Sequence, residues 1–216
     1  MTPGWLPFQN YQDSGKFIPV VHKTKLITPP EAEPIDLIEA KLHLKVTGSI
    51  EDDLITSWIT STRRMVERYL NRALITQQHE LYFDNWPCGE IRIPFGSLQS
   101  VDSIKYRDID GNENTISEGS YFWVDDVSEP AQVIRKYTAV WPIVQYGRPN
   151  AVKVTFTCGY GDTGADVPME MKDAMKLWLT DLYENRGTIA VGPAVLVNVI
   201  PNFVVNLIHT YKIYDF

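Results

Sequence analysis

The chain has 216 residues, 44% of them apolar and 22% charged, and its 20 Lys and Arg against 27 Asp and Glu leave a formal charge of −7. That length fits one domain with appendages, and the acidic balance excludes general wrapping of nucleic acid, which needs a basic surface, but not a surface that DNA slides past. No basic-then-apolar leader opens the chain and no apolar run approaches the roughly 18 residues of a membrane span, so a cytosolic product is expected, with Cys88 and Cys158 as reduced, core-facing residues.

Pro3, Pro7, Pro19, Pro29, Pro30 and Pro34 interrupt residues 1–34, with Trp5, Phe8, Tyr11 and Phe17 among them. Without a helical period this reads as an extended N-terminal arm, with one strand over 18–27. Disordered tails are poor in aromatics. The arm is therefore expected to lie against its own domain or, through residues such as Trp5 and Phe8, against a neighbouring subunit.

Residues 35–74 are the stretch around which the rest is organised. Asp36, with Glu39 three residues on, has capping-box spacing and opens a short helix over 36–45. Thr47-Gly48 breaks it. Ser49, with Asp52 at the third position, offers the cap of a long helix over 50–71. There Leu54, Ile55, Trp58, Ile59, Thr62, Val66, Tyr69 and Leu70 recur on one face. Glu51, Asp52 and Asp53 occupy the first turn, and Arg63, Arg64, Arg68 and Arg72 the second half, as the helix dipole favours. Arg64, Arg68 and Arg72 fall at i, i+4 and i+8. Such a row is solvated or meets the acids Glu51, Asp52 and Asp53 of a neighbour in a head-to-tail ring, ahead of contact with phosphates.

The period then changes to two. Residues 77–83, 90–94, 101–107, 115–116, 121–124, 132–135 and 151–158 read as strands, with Asp110-Gly111 as a hairpin signal. They predict a small antiparallel sheet inserted over 76–158 between helices. A third helix over 168–186 starts with Pro168 at its first position. It turns Met171, Ala174, Met175, Trp178, Leu179, Leu182 and Tyr183 inward and has Gly187 placed for its C-terminal cap. The fold class is therefore α+β: a helix bundle of two long helices and a short one, an inserted small antiparallel β-sheet, and extended N- and C-terminal arms. The domain reading is arm 1–34, core 35–187 and tail 188–216. In the tail, 195–200 reads as extended and 202–211 as a short helix. Phe203, Leu207, Ile208, Tyr211, Ile213, Tyr214 and Phe216 leave much apolar surface exposed unless the tail docks, which marks it as a partner-binding segment.

Few residues suggest chemistry. Gly159, Gly161 and Gly164 form G-x-G-x-x-G between a strand and a helix, the order of a dinucleotide fingerprint. Yet Asp166, Val167 and Pro168 intervene before the helix, Asp162 and Asp166 would repel a pyrophosphate, and the strands look antiparallel rather than βαβ. A tight strand-to-helix turn is the better reading. His22, His43, His79 and His209 are scattered, so no metal site is expected. Asp125, Asp126 and Glu129 read as a solvated loop ahead of an acid/base or cation site, and no serine sits in a G-x-S-x-G elbow. No catalytic residue or cofactor is expected; an α+β enzyme is the outside alternative.

The string IDLIEAKLHLKV at 35–46 resembles the opening LxEAKxHLxV of the head–tail adaptor (connector) proteins of long-tailed bacteriophages and gene transfer agents. Glu51-Asp52-Asp53-Leu54-Ile55 resembles the acidic start of that family's second helix. NRALITQ at 71–77 resembles its exit GRALITQ, with Asn71 in place of Gly. LQSV at 98–101 resembles one of its strands. Gly159-Tyr160-Gly161-Asp162, then Val167-Pro168, resembles its turn into the last long helix, and YENR at 183–186 the end of that helix. The matches run in order over 35–187. The resemblance implies structural work without catalysis: a homo-oligomeric ring, usually dodecameric in the family, in the virion neck, assembled in the host cytoplasm. It implies a portal protein on one side, a stopper or tail-completion protein on the other, and packaged double-stranded DNA passing through the lumen without sequence-specific binding or any membrane contact. It also implies that the C-terminal segment reaches the portal. A stopper or tail-completion protein of the same neck is the alternative. On this reading the apolar side chains at both ends are too numerous for one molecule to cover, and identical copies and a vertex protein are expected to cover them.

Overall fold

Alternation between a 3.6-residue and a two-residue period builds two kinds of layer. The computed structural model describes residues 23–186 and 200–214; Trp5, Phe8, Gly187, the extended run 195–199 and Phe216 lie outside them. Helix α1 (Leu37–Leu44) starts as the capping box predicts, with Asp36 Oδ1 accepting from the Glu39 amide at 2.7 Å. It ends before Thr47-Gly48, because Lys45 turns left-handed at φ 58° and the Lys45 and Val46 amides return to Leu42 and Lys41. Helix α2 (Asp52–Leu70) starts two residues later than predicted. Glu51 is its N-cap, and Ser49 contributes only its carbonyl, which accepts from the Asp52 amide at 3.3 Å. Asn71 ends α2 at φ 54°, a conformation that Asn and Gly tolerate. Arg72 therefore lies past the helix and not in a row with Arg64 and Arg68. Helix α3 (Met169–Glu184) takes Pro168 as its cap rather than its first residue. A fourth helix, α4 (Asn202–Ile208), continues into a 3-10 turn, His209–Tyr211.

Two antiparallel sheets replace the single one expected. Strands β1 (Lys23–Thr28), β2 (Gln77–Phe83), β8 (Val152–Cys158), β4 (Leu98–Arg107) and β5 (Glu113–Ile116) lie side by side in that order, and β3 (Ile91–Arg92), β7 (Gln132–Arg135) and β6 (Phe122–Asp125) form a second sheet. β2 and β4 both spend an edge on β8, so the short strands β3, β6 and β7 pair with one another. The end of the predicted arm is the edge strand β1, in register with β2 from Lys23↔Tyr82. Its lysines suit an edge that must not recruit further strands.

Each layer has its own core. Ile55, Ile59, Val66 and Leu70 of α2 meet Met171, Ala174, Met175, Trp178 and Leu179 of α3, with Ala40 of α1 beside them. Leu54, expected on that face, lies at the start of the helix outside the buried core, 40% exposed. In β2 and β8 every second residue is buried, placing Leu81, Phe83, Val152, Val154, Phe156 and Cys158 in the sheet core. Cys88 does not face a core; it is exposed in the loop between β2 and β3.

The tail corrects the expectation most strongly. Val204 and Ile208 are fully buried in the helical core, and Ile213 is nearly so. The last carbonyls of a helix lack intrahelical partners. The Ile213 amide supplies one, donating to Leu70 O at 2.9 Å, and Asn71 Nδ2 donates to Ile213 O at 2.9 Å. Val204, Ile208 and Ile213 are therefore covered by the chain itself, whereas Phe203, Leu207 and Tyr214 remain exposed.

Candidate interaction surfaces

Three of the six charges assigned to subunit contacts, Glu51, Asp52 and Arg72, are engaged within the chain itself. Glu51 accepts from Arg186 Nη1 at 2.5 Å and Tyr183 Oη at 2.8 Å, and Arg186 first, then Tyr183, hold its carboxyl below the usual range. Asp52 pairs with Lys41 Nζ at 2.6 Å. Arg72 is buried: its guanidinium grips Glu129, with Nη1 2.8 Å from Oε1, and Nε donates to Tyr211 O at 2.5 Å. It is a tie between the end of α2, the acidic loop and the tail. Asp53, Arg64 and Arg68 are exposed and enter no ion pair found among the described residues.

The acidic loop is a folded turn. Asp125 accepts from Ser128 Oγ at 2.6 Å and from the Val127 and Ser128 amides, and the Ser128 hydroxyl first among these holds its carboxyl low. Glu129 leaves the expected cluster for Arg72. The glycine triplet is equally structural. A Cβ on Gly159 would lie 2.5 Å from Ile75 C, and one on Gly164 2.3 Å from Pro34 O. The chain's own backbone fills the space a pyrophosphate would need. Among the described residues no group of three His, Cys, Asp or Glu is placed to hold a metal ion, and no helix is long and apolar enough to cross a membrane. Two clefts, of about 240 and 210 Å³, fall below the roughly 300–1,000 Å³ of ligand pockets.

Of the tail residues, Phe203, Leu207 and Tyr214 face solvent, Tyr211 is half-buried, and Ile208 and Ile213 point inward. Phe203 and Leu207 are one turn apart on α4, so they share its outer side.

Two features escaped the sequence reading. Arg63 is buried, with Nε 2.7 Å from Glu33 and Nη1 2.8 Å from Glu67, and Glu67 also accepts from the Leu74 amide and Gln77 Nε2. Burial pushes the Glu67 carboxyl up against the pull of Arg63. The signal was present: Arg63 lies four residues after Ile59 and three before Val66, on the inward stripe. His79 is also buried, with neither ring nitrogen hydrogen-bonded and the rings of Phe95 and Phe156 beside it. Burial pushes its pKa down to about 4.

The largest exposed apolar side chains gather elsewhere. Tyr137, Val140, Ile143 and Tyr146 all project from the loop after β7, and Ile38 and Leu42 from one side of α1.

Residues 34–137 match the model of the family described as "Phage gp6-like head-tail connector protein". That match spans the stretches at 35–46, 71–77 and 98–101 that resemble head–tail adaptor proteins. Among solved structures, a chain of the "Neck of empty GTA particle computed with C6 symmetry" is similar at 20% identity and TM-score 0.72, over 90% of this chain and 97% of that one. A chain of the "Virion of native gene transfer agent (GTA) particle" is 21% identical with TM-score 0.70, over 89% and 96%. A chain of the "Neck of native GTA particle computed with C12 symmetry" is 20% identical with TM-score 0.67, over 90% and 97%. At such identities the likeness establishes the fold. No curated protein matches the chain.

Proposed function

Because residues 34–137 carry the pattern of the phage gp6-like head-tail connector family, we propose that this chain is a structural protein of a virion neck, and within it the adaptor ring beneath the portal. The observation that carries the reading is the family match over α1, α2 and strands β2 to β7, joined to a fold shared across about nine-tenths of the chain with proteins of gene transfer agent necks. The symmetries of those necks agree with a ring of six- or twelvefold order, and twelve copies is the order proposed. The portal protein lies on one side, a stopper or tail-completion protein on the other, and the double-stranded genome passes through the lumen.

A formal charge of −7 per copy suits such a channel. A basic lumen would hold DNA through many phosphate contacts, each adding salt-dependent affinity. Acids are therefore expected to outnumber bases on the lumen face. The test is to mix the purified full chain with the portal protein encoded in the same genome and to separate the products by size. A ring-sized complex with portal is expected. Binding to tail-side proteins but not to portal would transfer the chain to the stopper or tail-completion class.

A further inference from the structure

We infer that the loop over 136–147 of one copy docks on the outer side of α1 of the next copy, and that this loop-to-helix contact is what closes the ring. The inference rests on the ring reading above and names the surfaces that would make it.

The loop is built to present apolar side chains. Tyr137 and Tyr146 are 91% and 94% exposed, with Val140 and Ile143 nearly as open between them. They recur every third residue, while the residues between them hold the loop down. Trp141 stacks on Trp86 with centroids 4.4 Å apart and planes 7° apart, and Trp86 Nε1 donates to Pro142 O at 2.8 Å. The Lys136 amide donates to Tyr121 O, and the Gln145 amide to Arg107 O. A loop fixed before binding loses little further entropy when it docks. Buried aromatics contribute roughly 150–250 Å² each, so the two tyrosines alone offer more than a third of the about 800 Å² that a standard interface takes from each partner.

The partner surface is on the same chain. Ile38 and Leu42, 79% and 80% exposed, sit one turn apart on α1, and Ile50 is open just before α2, which Lys41 ties to α1 through Asp52. α1 packs into the helical core, whereas the loop is anchored on the sheet core through Trp141 and Val144. The two patches thus belong to different halves of the molecule. A contact between unlike patches is heterologous, the kind that runs head to tail and closes into rings. One copy offers both halves of it, so a second copy of this chain is the occupant that satisfies both patches at once.

The test uses two full-length variants, Leu42→Asp and Tyr146→Asp, both at exposed positions, with unchanged thermal melts checking their folds. In sedimentation velocity the wild type is expected to form ring-sized assemblies as concentration rises, and each variant to remain monomeric. An equimolar mixture of the variants retains one intact loop and one intact helix face, so it is expected to form dimers and nothing larger. In parallel, a photo-crosslinking residue placed at position 146 of the otherwise unaltered chain is expected to capture residues 37–44 of another copy. A wild type that stays monomeric, variants that still form rings, a mixture that stays monomeric, or a crosslink elsewhere, including one within the same chain to residues 1–22 or 187–199, each overturns the inference. Portal binding by the wild type in that case leaves the adaptor reading standing; its absence removes the adaptor reading separately.

Discussion

With only 6% of its side chain exposed, Arg63 has lost most of its hydration and recovers it from two carboxylates, Glu33 and Glu67. Breaking a buried pair costs more than the pair contributes, because the remaining charge is left without a partner. Arg63→Met is therefore expected to lower unfolding stability by about 3–5 kcal/mol in urea titrations. Adding Glu67→Gln should recover part of that loss, since the stranded carboxylate is gone and the Leu74 amide keeps an acceptor. Simple addition of the two costs would refute the coupling. His79 acts through the proton it fails to bind. Its pKa falls from 6.5 to about 4 by burial, so between those values the unfolded chain holds a proton that the folded chain lacks. Stability then rises with pH across that window and is lost as pH falls through it, by on the order of 3 kcal/mol. His79→Phe, beside Phe95 and Phe156, removes the titrating group. Melts at pH 7.5 and 4.5 are expected to show a smaller acid loss in the variant than in the wild type, and equal losses would exclude His79 as the cause.

At the level of elements, α4 is bound into the helical core by Val204 and Ile208, and the segment after it by Ile213 and Arg72. Ile208→Ala should cost about 2–5 kcal/mol and make residues 200–214 more sensitive to limited proteolysis than the rest of the chain. A tail that stayed protected would mean that Ile213 and Arg72 hold it alone. Removing everything after Ile200 strips at least the buried Val204, Ile208 and Ile213 from the molecule, so that truncation disturbs the fold together with any partner contact. The helices were legible because their signals are local. Asp36 and Glu39 are three residues apart, and Asn71 occupies a left-handed position that Asn and Gly tolerate. The strands were legible through alternation, as in β2 and β8. The pairing of β1 with β2, the split into two sheets and the inward turn of Ile213 were not legible. They depend on contacts between residues far apart, such as Arg72 with Tyr211, and no short-range period encodes them. Arg72 reads as one of a row open to solvent or a neighbour, yet Glu129 and Tyr211 come within its reach only after folding, while Arg63 counts only toward the basic half of α2 although its stripe position, with Glu67 four residues on, points to burial.

For the whole molecule, the surviving outward residues separate two jobs that the intact tail would have merged. Phe203 and Leu207 lie on α4, while Tyr146 and Leu42 lie on the loop and on α1. If α4 meets the portal and the loop meets the neighbouring copy, damage at one surface should leave the other at work. Phe203→Ser combined with Leu207→Ser changes two half-buried side chains, 45% and 38% exposed, outside the fully buried core, so a cost of about 1 kcal/mol each is expected. The double variant is expected to melt somewhat below the wild type but stay folded, keep the wild-type sedimentation profile, and lose coelution with portal protein. Leu42→Asp is expected to keep the melt, lose the ring and retain only weak portal binding, because a single copy forgoes the avidity that many linked copies supply. Should the α4 variant bind portal as the wild type does, the portal contact must lie on another face, and Phe203 and Leu207 lose the role proposed for them.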